Sequence, residues 1–318
     1  MQSVSIHPGT TEVQADPTIF LMGRPTMNGS VAWLRTQTVE GKKTDVSELA
    51  GRWRTAHSKI VALGKTESMI ADGISVTNLP ESLAGLAKAV LEHPVTKQSF
   101  GLVPTSIKSV ELGKLVVFQR NVNLTYASEL QSALGSNATE EDVFHFALPI
   151  DGRYDPTTNV GQVGIGPNGV AYAIVSPSND LRVLGPTILD PSQVSGFDIN
   201  GRATHIVALA VGYGTNFLSA MRIGSRLILK NGTHRAFALL ASGFTHAPML
   251  VEEIPEGEEK EHLPAEVQAD IDSYLTAPRP SLLRDYVNDD LRIVAHVPRT
   301  LRSIRVTVAY EEGGIPGA

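Results

Sequence analysis

One tight turn in this sequence carries the residues best suited to binding an anion. Asn231 and Gly232 predict the turn, since glycine adopts the positive φ that it requires. Thr233 can cap the helix that follows, and the N–H groups at a helix N-terminus attract negative charge. Arg235 could bind a phosphate through two hydrogen bonds, and His234 could add a donor that titrates near neutral pH. These residues predict a phosphate-binding site, in which His234 and Arg235 would act as catalytic residues by neutralising charge on the phosphate.

Such a turn needs a strand before it and a helix after it, and the flanking residues predict both. Residues 227–229 are apolar and predict a buried strand, and residues 236–240 predict a helix that Gly243 ends. Residues 247–251 predict a second strand. A structural role for the turn is left open: the threonine would cap the helix, the histidine would be a partly buried donor and the arginine would pair with a carboxylate.

The rest of the sequence predicts an α+β protein. Residues 1–99 are expected to form a mostly helical extension, because two segments in them have apolar residues at helical spacing. Residues 100–255 are expected to form a core, with a β-rich insertion at about 140–222. Residues 256–318 add a helix–strand segment that packs on this core, since no long linker separates the parts.

Composition argues against several classes of function. The net charge of −6 argues against binding to duplex DNA or to an anionic membrane, which needs a basic surface. The absence of cysteine excludes disulfides, thiolate metal sites and cysteine nucleophiles. No signal peptide and no membrane-spanning apolar run is visible, so a cytoplasmic protein is expected. Assembly into a homo-oligomer is left open.

Three other patterns favour structure over chemistry. The segment 164–169 matches the G-x-G-x-x-G fingerprint, but its proline and the strand-like residues after it predict a β-turn. Residues 170–175 and 180–184 predict a hairpin. The mixed charges between residues 278 and 292 predict a surface ion-pair network, in preference to groups that close over a ligand.

The turn resembles one found in the N-terminal domain of ParB partition proteins and in their relatives, sulfiredoxin and the ADP-dependent free serine kinase. Those proteins carry a Gly-x-His-Arg or Gly-x-Arg-Arg turn at the start of a helix, matched here by Gly232, His234 and Arg235. The resemblance implies a ParB/sulfiredoxin-like core in which the turn binds nucleotide phosphates. Some members of this superfamily bind or hydrolyse ATP or CTP, and others transfer a phosphoryl group.

A second segment supports the same resemblance. The family opens with a strand, a Gln-Arg or Gln-x pair and a helix, and residues 110–134 are similar to that opening. The resemblance implies that Gln119 and Arg120 lie near the same pocket, which would hold ATP or CTP with Mg²⁺. The metal ligands stay unknown, with Asp180 and Glu129 as candidates for the carboxylate.

The chain also departs from the family, which keeps other functions open. The catalytic cysteine of sulfiredoxin is missing, and no ParB-like helix-turn-helix follows residue 251. The expected partner is a small nucleotide or another anionic ligand. One alternative is a non-catalytic interaction or regulatory protein that retains the fold, and another is a ParB-like nuclease.

Overall fold

The computed structural model describes residues 14–24, 26–150, 158–166, 169–178, 180–196, 201–309, 311 and 313–314. The α-helices are α1 (Met27–Gln37), α2 (Val46–Thr66), α3 (Ala84–Glu92), α4 (Pro94–Phe100), α5 (Leu124–Leu134), α6 (Glu140–Ala147), α7 (Thr233–Ala241), α8 (Glu259–His262), α9 (Ala265–Gln268) and α10 (Ile271–Leu275). The strands are β1 (Ala15–Leu21), β2 (Val76–Thr77), β3 (Thr105–Glu111), β4 (Asn121–Asn123), β5 (Asn159–Gly166), β6 (Gly169–Ser176), β7 (Leu181–Leu189), β8 (Ile206–Tyr213), β9 (Ser219–Ile223), β10 (Arg226–Asn231), β11 (His246–Glu253), β12 (Arg292–Pro298) and β13 (Arg302–Ala309). One-turn 3₁₀ helices include Leu283–Val287.

These elements form two units, and the predicted α+β class is confirmed. The described residues within 13–153 and 215–299 make the larger unit, which contains all the α-helices named above. Those within 154–214 and 300–318 make the smaller unit, which is built from strands. No helix in the described part of the chain has both the length and the apolar character needed to cross a bilayer.

The larger unit contains a five-stranded sheet with the order β10-β9-β11-β3-β2. β9 and β10 form an antiparallel hairpin, and β11 lies parallel to β9. Parallel neighbours need a crossover connection, which β10 and α7 supply here. The turn predicted to bind an anion lies where β10 passes into α7, between a strand and a helix as the sequence indicates.

A three-stranded sheet of the larger unit has the order β12-β1-β4. β1 is central and antiparallel to both neighbours, with Phe20 opposite Ile293 on one side and Asn121 on the other. β1 lies in the stretch that the sequence predicts to be mostly helical. Its short segment carries Asp16 and Pro17, which weaken the local strand signal, and its partners come from distant parts of the chain.

Two apolar clusters of the larger unit hold these sheets and helices together. One joins β9, β10 and the segment before Leu283–Val287, and its buried members are Ala71, Val116, Met221, Ile223, Ile228, Leu263, Val267 and Leu282. The other packs α1 and α2 against β1, and its buried members are Phe20, Met22, Val31, Leu34, Leu49, Ala56 and Ile293. Burying such side chains stabilises the unit because apolar surface leaves water.

The smaller unit pairs its strands differently from the sequence expectation. β6 lies between β13 and β5, and β7 pairs with β8. The predicted hairpin of residues 170–175 and 180–184 is therefore wrong, because both edges of β6 are already hydrogen-bonded to other strands. The predicted β-turn at 164–169 falls between β5 and β6, where Gly166 pairs with Gly169. Pro167 and Asn168 lie outside the described residues.

Candidate functional site

The turn between β10 and α7 is held by the side chain of Asn231. Its Oδ1 accepts a hydrogen bond from the Gly232 N–H at 2.9 Å, and its Nδ2 donates to the Thr215 carbonyl at 3.2 Å. Gly232 has a φ of 90° and is itself the N-cap of α7, so the expectation that the Thr233 hydroxyl caps this helix is wrong. The first N–H paired within the helix is that of Ala236, which donates to the Gly232 carbonyl.

Replacing Gly232 with alanine is expected to lower the free energy of unfolding by about 1–3 kcal/mol. The left-handed conformation disfavours a Cβ, and that atom would lie 2.8 Å from Leu218 Cδ1 and 3.3 Å from Leu218 Cα. Urea unfolding measures the change. Gly224 is the matched control, since it also has a positive φ but no atom lies within 4 Å of the place that a Cβ would take. Equal losses in the Gly224→Ala and Gly232→Ala variants would show that the Leu218 contact costs nothing.

The guanidinium of Arg235 lies inside the protein. Its side chain is 2 % exposed, and one of its NH groups donates to the backbone carbonyl of Asn216. Arg235 is on the first turn of α7, where the helix turns this residue and Phe237 into the interior. The contact ties α7 to the segment before β9. The structure therefore gives Arg235 a protein partner in the place where the sequence predicts a phosphate.

His234 links α7 to β4. Its Nε2 accepts a hydrogen bond from the Asn123 N–H at 3.0 Å, and its ring meets that of Tyr126 edge-on, with centroids 5.3 Å apart. Burial lowers the pKa of His234 from 6.5 to about 4. The acceptor role of Nε2 and the lowered pKa both indicate that the imidazole of His234 is neutral at pH 7. His234 therefore adds no positive charge to the turn.

Tyr286 connects the segment of Gln119 and Arg120 to α7. The buried hydroxyl of Tyr286 donates to the Gln119 carbonyl, and its ring contacts Phe237 of α7 with centroids 6.1 Å apart. The Gln119 amide donates to the Asn121 carbonyl at 2.7 Å. The two segments that the sequence predicts to share a pocket are thus neighbours, although Arg235 and His234 have protein partners within this junction.

The charge of Arg120 lies beside an aromatic ring and a backbone carbonyl. Its guanidinium lies 5.0 Å from the centre of the Phe20 ring, and one NH group makes a long contact of 3.5 Å with the Arg24 carbonyl. No carboxylate pairs with it in the described part of the chain. The side chain is partly buried, and burial lowers the pKa of Arg120. Arg120 is therefore a predicted site residue whose charge is not paired with a carboxylate of the described residues.

Sequence reasoning missed a second arginine at the same place. Arg24 follows β1, and no side-chain hydrogen bond or ion pair is found for it among the described residues. Burial lowers the pKa of Arg24, and the nearby positive charge of Arg279 adds to the effect. The sequence signal in this segment is a Gly-Arg-Pro-Thr run, residues 23–26, ahead of a helix. That pattern by itself indicates a helix cap and not a binding site.

The charges between residues 278 and 292 are buried at Arg279 and Asp285 and exposed at Asp289, so the predicted surface ion-pair network is wrong for the first pair and right for Asp289 and Arg292. Arg279 and Asp285 are 3 % and 4 % exposed, and two hydrogen bonds of 2.5 and 2.6 Å join them. Glu67, the C-cap of α2, accepts from Arg279 at 3.1 Å and pairs with Arg284 at 2.5 Å. The network joins α2 to the segment before β12, which sequence spacing does not show.

The described residues offer no set of ligands for Mg²⁺. Across the described ranges, no group of three histidine or acidic side chains is placed to hold a metal ion. Asp180 accepts from Arg182 in the smaller unit, and Glu129 is exposed on α5 in the larger one. Neither of the two carboxylates suggested for the metal belongs to a group of three possible ligands in the described part of the chain.

The contacts around Tyr286, with the neutral His234 and the uncompensated Arg120, are the basis for assigning a function. Comparisons of the chain with protein-family models, with curated proteins and with solved structures found no match.

Proposed function

We propose that this protein binds a nucleotide or another phosphate-bearing ligand where the segment 119–123 meets α7. The proposal keeps the resemblance to the ParB/sulfiredoxin-like superfamily as its fold hypothesis. One observation carries it: Arg120 holds a partly buried positive charge beside no carboxylate of the described residues, in the segment that the resemblance assigns to the phosphate pocket.

A charge that is partly out of water and uncompensated has an energetic cost. Moving a guanidinium out of water is unfavourable unless an anion or a set of hydrogen bonds replaces the lost hydration. The Phe20 ring offsets part of this cost for Arg120 through a cation–π contact. A phosphate would offset more, because arginine binds its oxygens through two parallel hydrogen bonds.

The neighbouring helix supports the same ligand chemistry. α7 begins at a glycine with positive φ, and the N–H groups of a first helical turn have no acceptor within the helix. The turn lies between the β9–β10 hairpin and α7. It is beside the segment 119–123 because His234, at the start of α7, accepts a hydrogen bond from the Asn123 N–H. Since His234 is neutral there, the proposal assigns the positive charge to Arg120 and a positioning role to the histidine.

The Arg120→Gln variant is expected to bind ATP or CTP at least about tenfold more weakly than the wild type. Glutamine retains a polar side chain and removes the charge, and isothermal titration calorimetry with and without Mg²⁺ measures the affinity. Arg54→Gln is the control, because Arg54 is exposed on α2 and the variant has the same net charge.

Two results would contradict the proposed function. One is the absence of binding by any nucleoside di- or triphosphate at millimolar concentration, with and without Mg²⁺. The other is equal affinity in the wild type and in Arg120→Gln. Weakening to the same extent in Arg54→Gln would show an effect of net charge, and would also count against a site at Arg120.

A further inference from the structure

We propose that Arg24 and Arg120 together bind the phosphate chain of a ligand that carries at least two linked phosphates, at the end of the β12–β1–β4 sheet. This inference rests on the proposed function and adds to it a second binding residue and a class of ligand. Arg24 lies outside both segments that resemble the ParB-like family, so only the tertiary structure brings it to this place.

The backbone places the two arginines at the same end of the sheet. Leu21 is the last residue of β1, and its N–H donates to the Arg120 carbonyl at 2.8 Å. Arg24 follows three residues later, and its carbonyl accepts the long contact from Arg120. The Arg24 loop is itself anchored, since the Gly23 carbonyl lies 3.1 Å from Nδ1 of His57 on α2.

Arg24 and Arg120 contrast with three other arginines of the larger unit. Carboxylates pair with Arg226 at 3.0 Å, with Arg279 at 2.5 Å and with Arg299 at 2.7 Å. In the described ranges neither Arg24 nor Arg120 has such a pair. The unit thus pairs these three guanidiniums with its own acids, whereas Arg24 and Arg120, which lie at one place, have no ion pair among the described residues.

The two side chains present separate sets of donors to a ligand with more than one charge. Besides burial, the positive charge of Arg279 lowers the pKa of Arg24, and the negative charges of Asp285 and Asp270 raise it. Arg120 contacts the Arg24 backbone and not its guanidinium, so each side chain keeps its own set of five N–H donors. Two separate guanidiniums match two linked phosphates better than they match one.

The test compares pyrophosphate binding in four proteins by isothermal titration calorimetry. We expect the wild type to bind pyrophosphate more tightly than orthophosphate. We expect Arg24→Gln and Arg120→Gln each to weaken pyrophosphate binding by about tenfold or more, and Arg54→Gln to leave it unchanged. Thermal unfolding should give Arg24→Gln the same Tm as the wild type, because its guanidinium makes no hydrogen bond among the described residues.

The outcomes separate this inference from the proposed function. If Arg120→Gln weakens pyrophosphate binding and Arg24→Gln does not, the two-arginine site is wrong and the phosphate-binding function stands. If neither pyrophosphate nor any nucleotide binds, both fail. Should Arg24→Gln unfold, Arg24→Lys replaces it: the retained charge should keep much of the affinity, and affinity lost as completely as in Arg120→Gln would overturn a role for the charge.

Discussion

Replacing Asp285 with alanine is expected to lower the free energy of unfolding by about 3–5 kcal/mol. The change would leave the guanidinium of Arg279 buried without its bidentate partner, although Glu67 would still accept one hydrogen bond from it. It would also leave the N–H of Leu282 without the carboxylate oxygen that it contacts at 2.9 Å. A buried charge that loses its partner keeps its desolvation cost and loses the compensating attraction.

Urea unfolding followed by tryptophan fluorescence measures this loss in the larger unit, since Trp33 and Trp53, the two tryptophans of the chain, lie within it. Asp289→Ala is the matched control. The Asp289 carboxylate pairs with Arg292 at 2.6 Å, but the Asp289 side chain is 87 % exposed. The expected loss of stability is therefore about 0–1 kcal/mol. A similar loss in both variants would contradict the argument that burial makes the Arg279–Asp285 pair structurally important.

The stability of the protein is expected to fall at acid pH because of His234. Burial lowers the pKa of His234 to about 4 in the folded protein, whereas an unfolded histidine titrates near 6.5. Between these values the unfolded chain binds a proton that the folded one does not, so stability falls as the pH falls from 6.5 to 4. Protonation of His234 is expected to lower the free energy of unfolding by about 3 kcal/mol as the pH falls across this window. Above pH 6.5 the histidine adds no further pH dependence.

The His234→Gln variant tests this linkage. Glutamine can accept the hydrogen bond from the Asn123 N–H but does not titrate, so the stability of the variant should depend less steeply on pH in this window. Urea unfolding at a series of pH values gives the two curves, and measurements at about pH 7.5, above the histidine window, correct for any loss of packing. Parallel curves between pH 6.5 and 4 would show that the imidazole is not held neutral. Carboxylates with lowered pKa values, such as Asp16 and Asp72, are present in both proteins and cancel in the comparison.

Much of the local structure at the site could be predicted from the sequence. The strand at 227–229, the helix at 236–240 and the strand at 247–251 correspond to β10, α7 and β11. These elements have strong local signals: an apolar run, a glycine in a tight turn and a helical stripe. The hairpin expected around residue 178 was wrong because pairing between strands depends on which edges are free, and β13, from the end of the chain, occupies one edge of β6.

The sequence alone determined which residue types meet at the start of α7, because neighbours along the chain are neighbours in a turn and in the helix that follows it. The tertiary structure decided which of those groups carry a charge and which charges are compensated. His234 is neutral because tertiary packing buries its ring, which accepts a hydrogen bond from a residue 111 positions away. Arg279 is paired in part because Glu67, 212 positions away, reaches it. Arg24 and Arg120 come together through the pairing of β1 with β4. Hydration and ion pairing depend on what surrounds a side chain in three dimensions, and spacing along the chain carries little information about that environment.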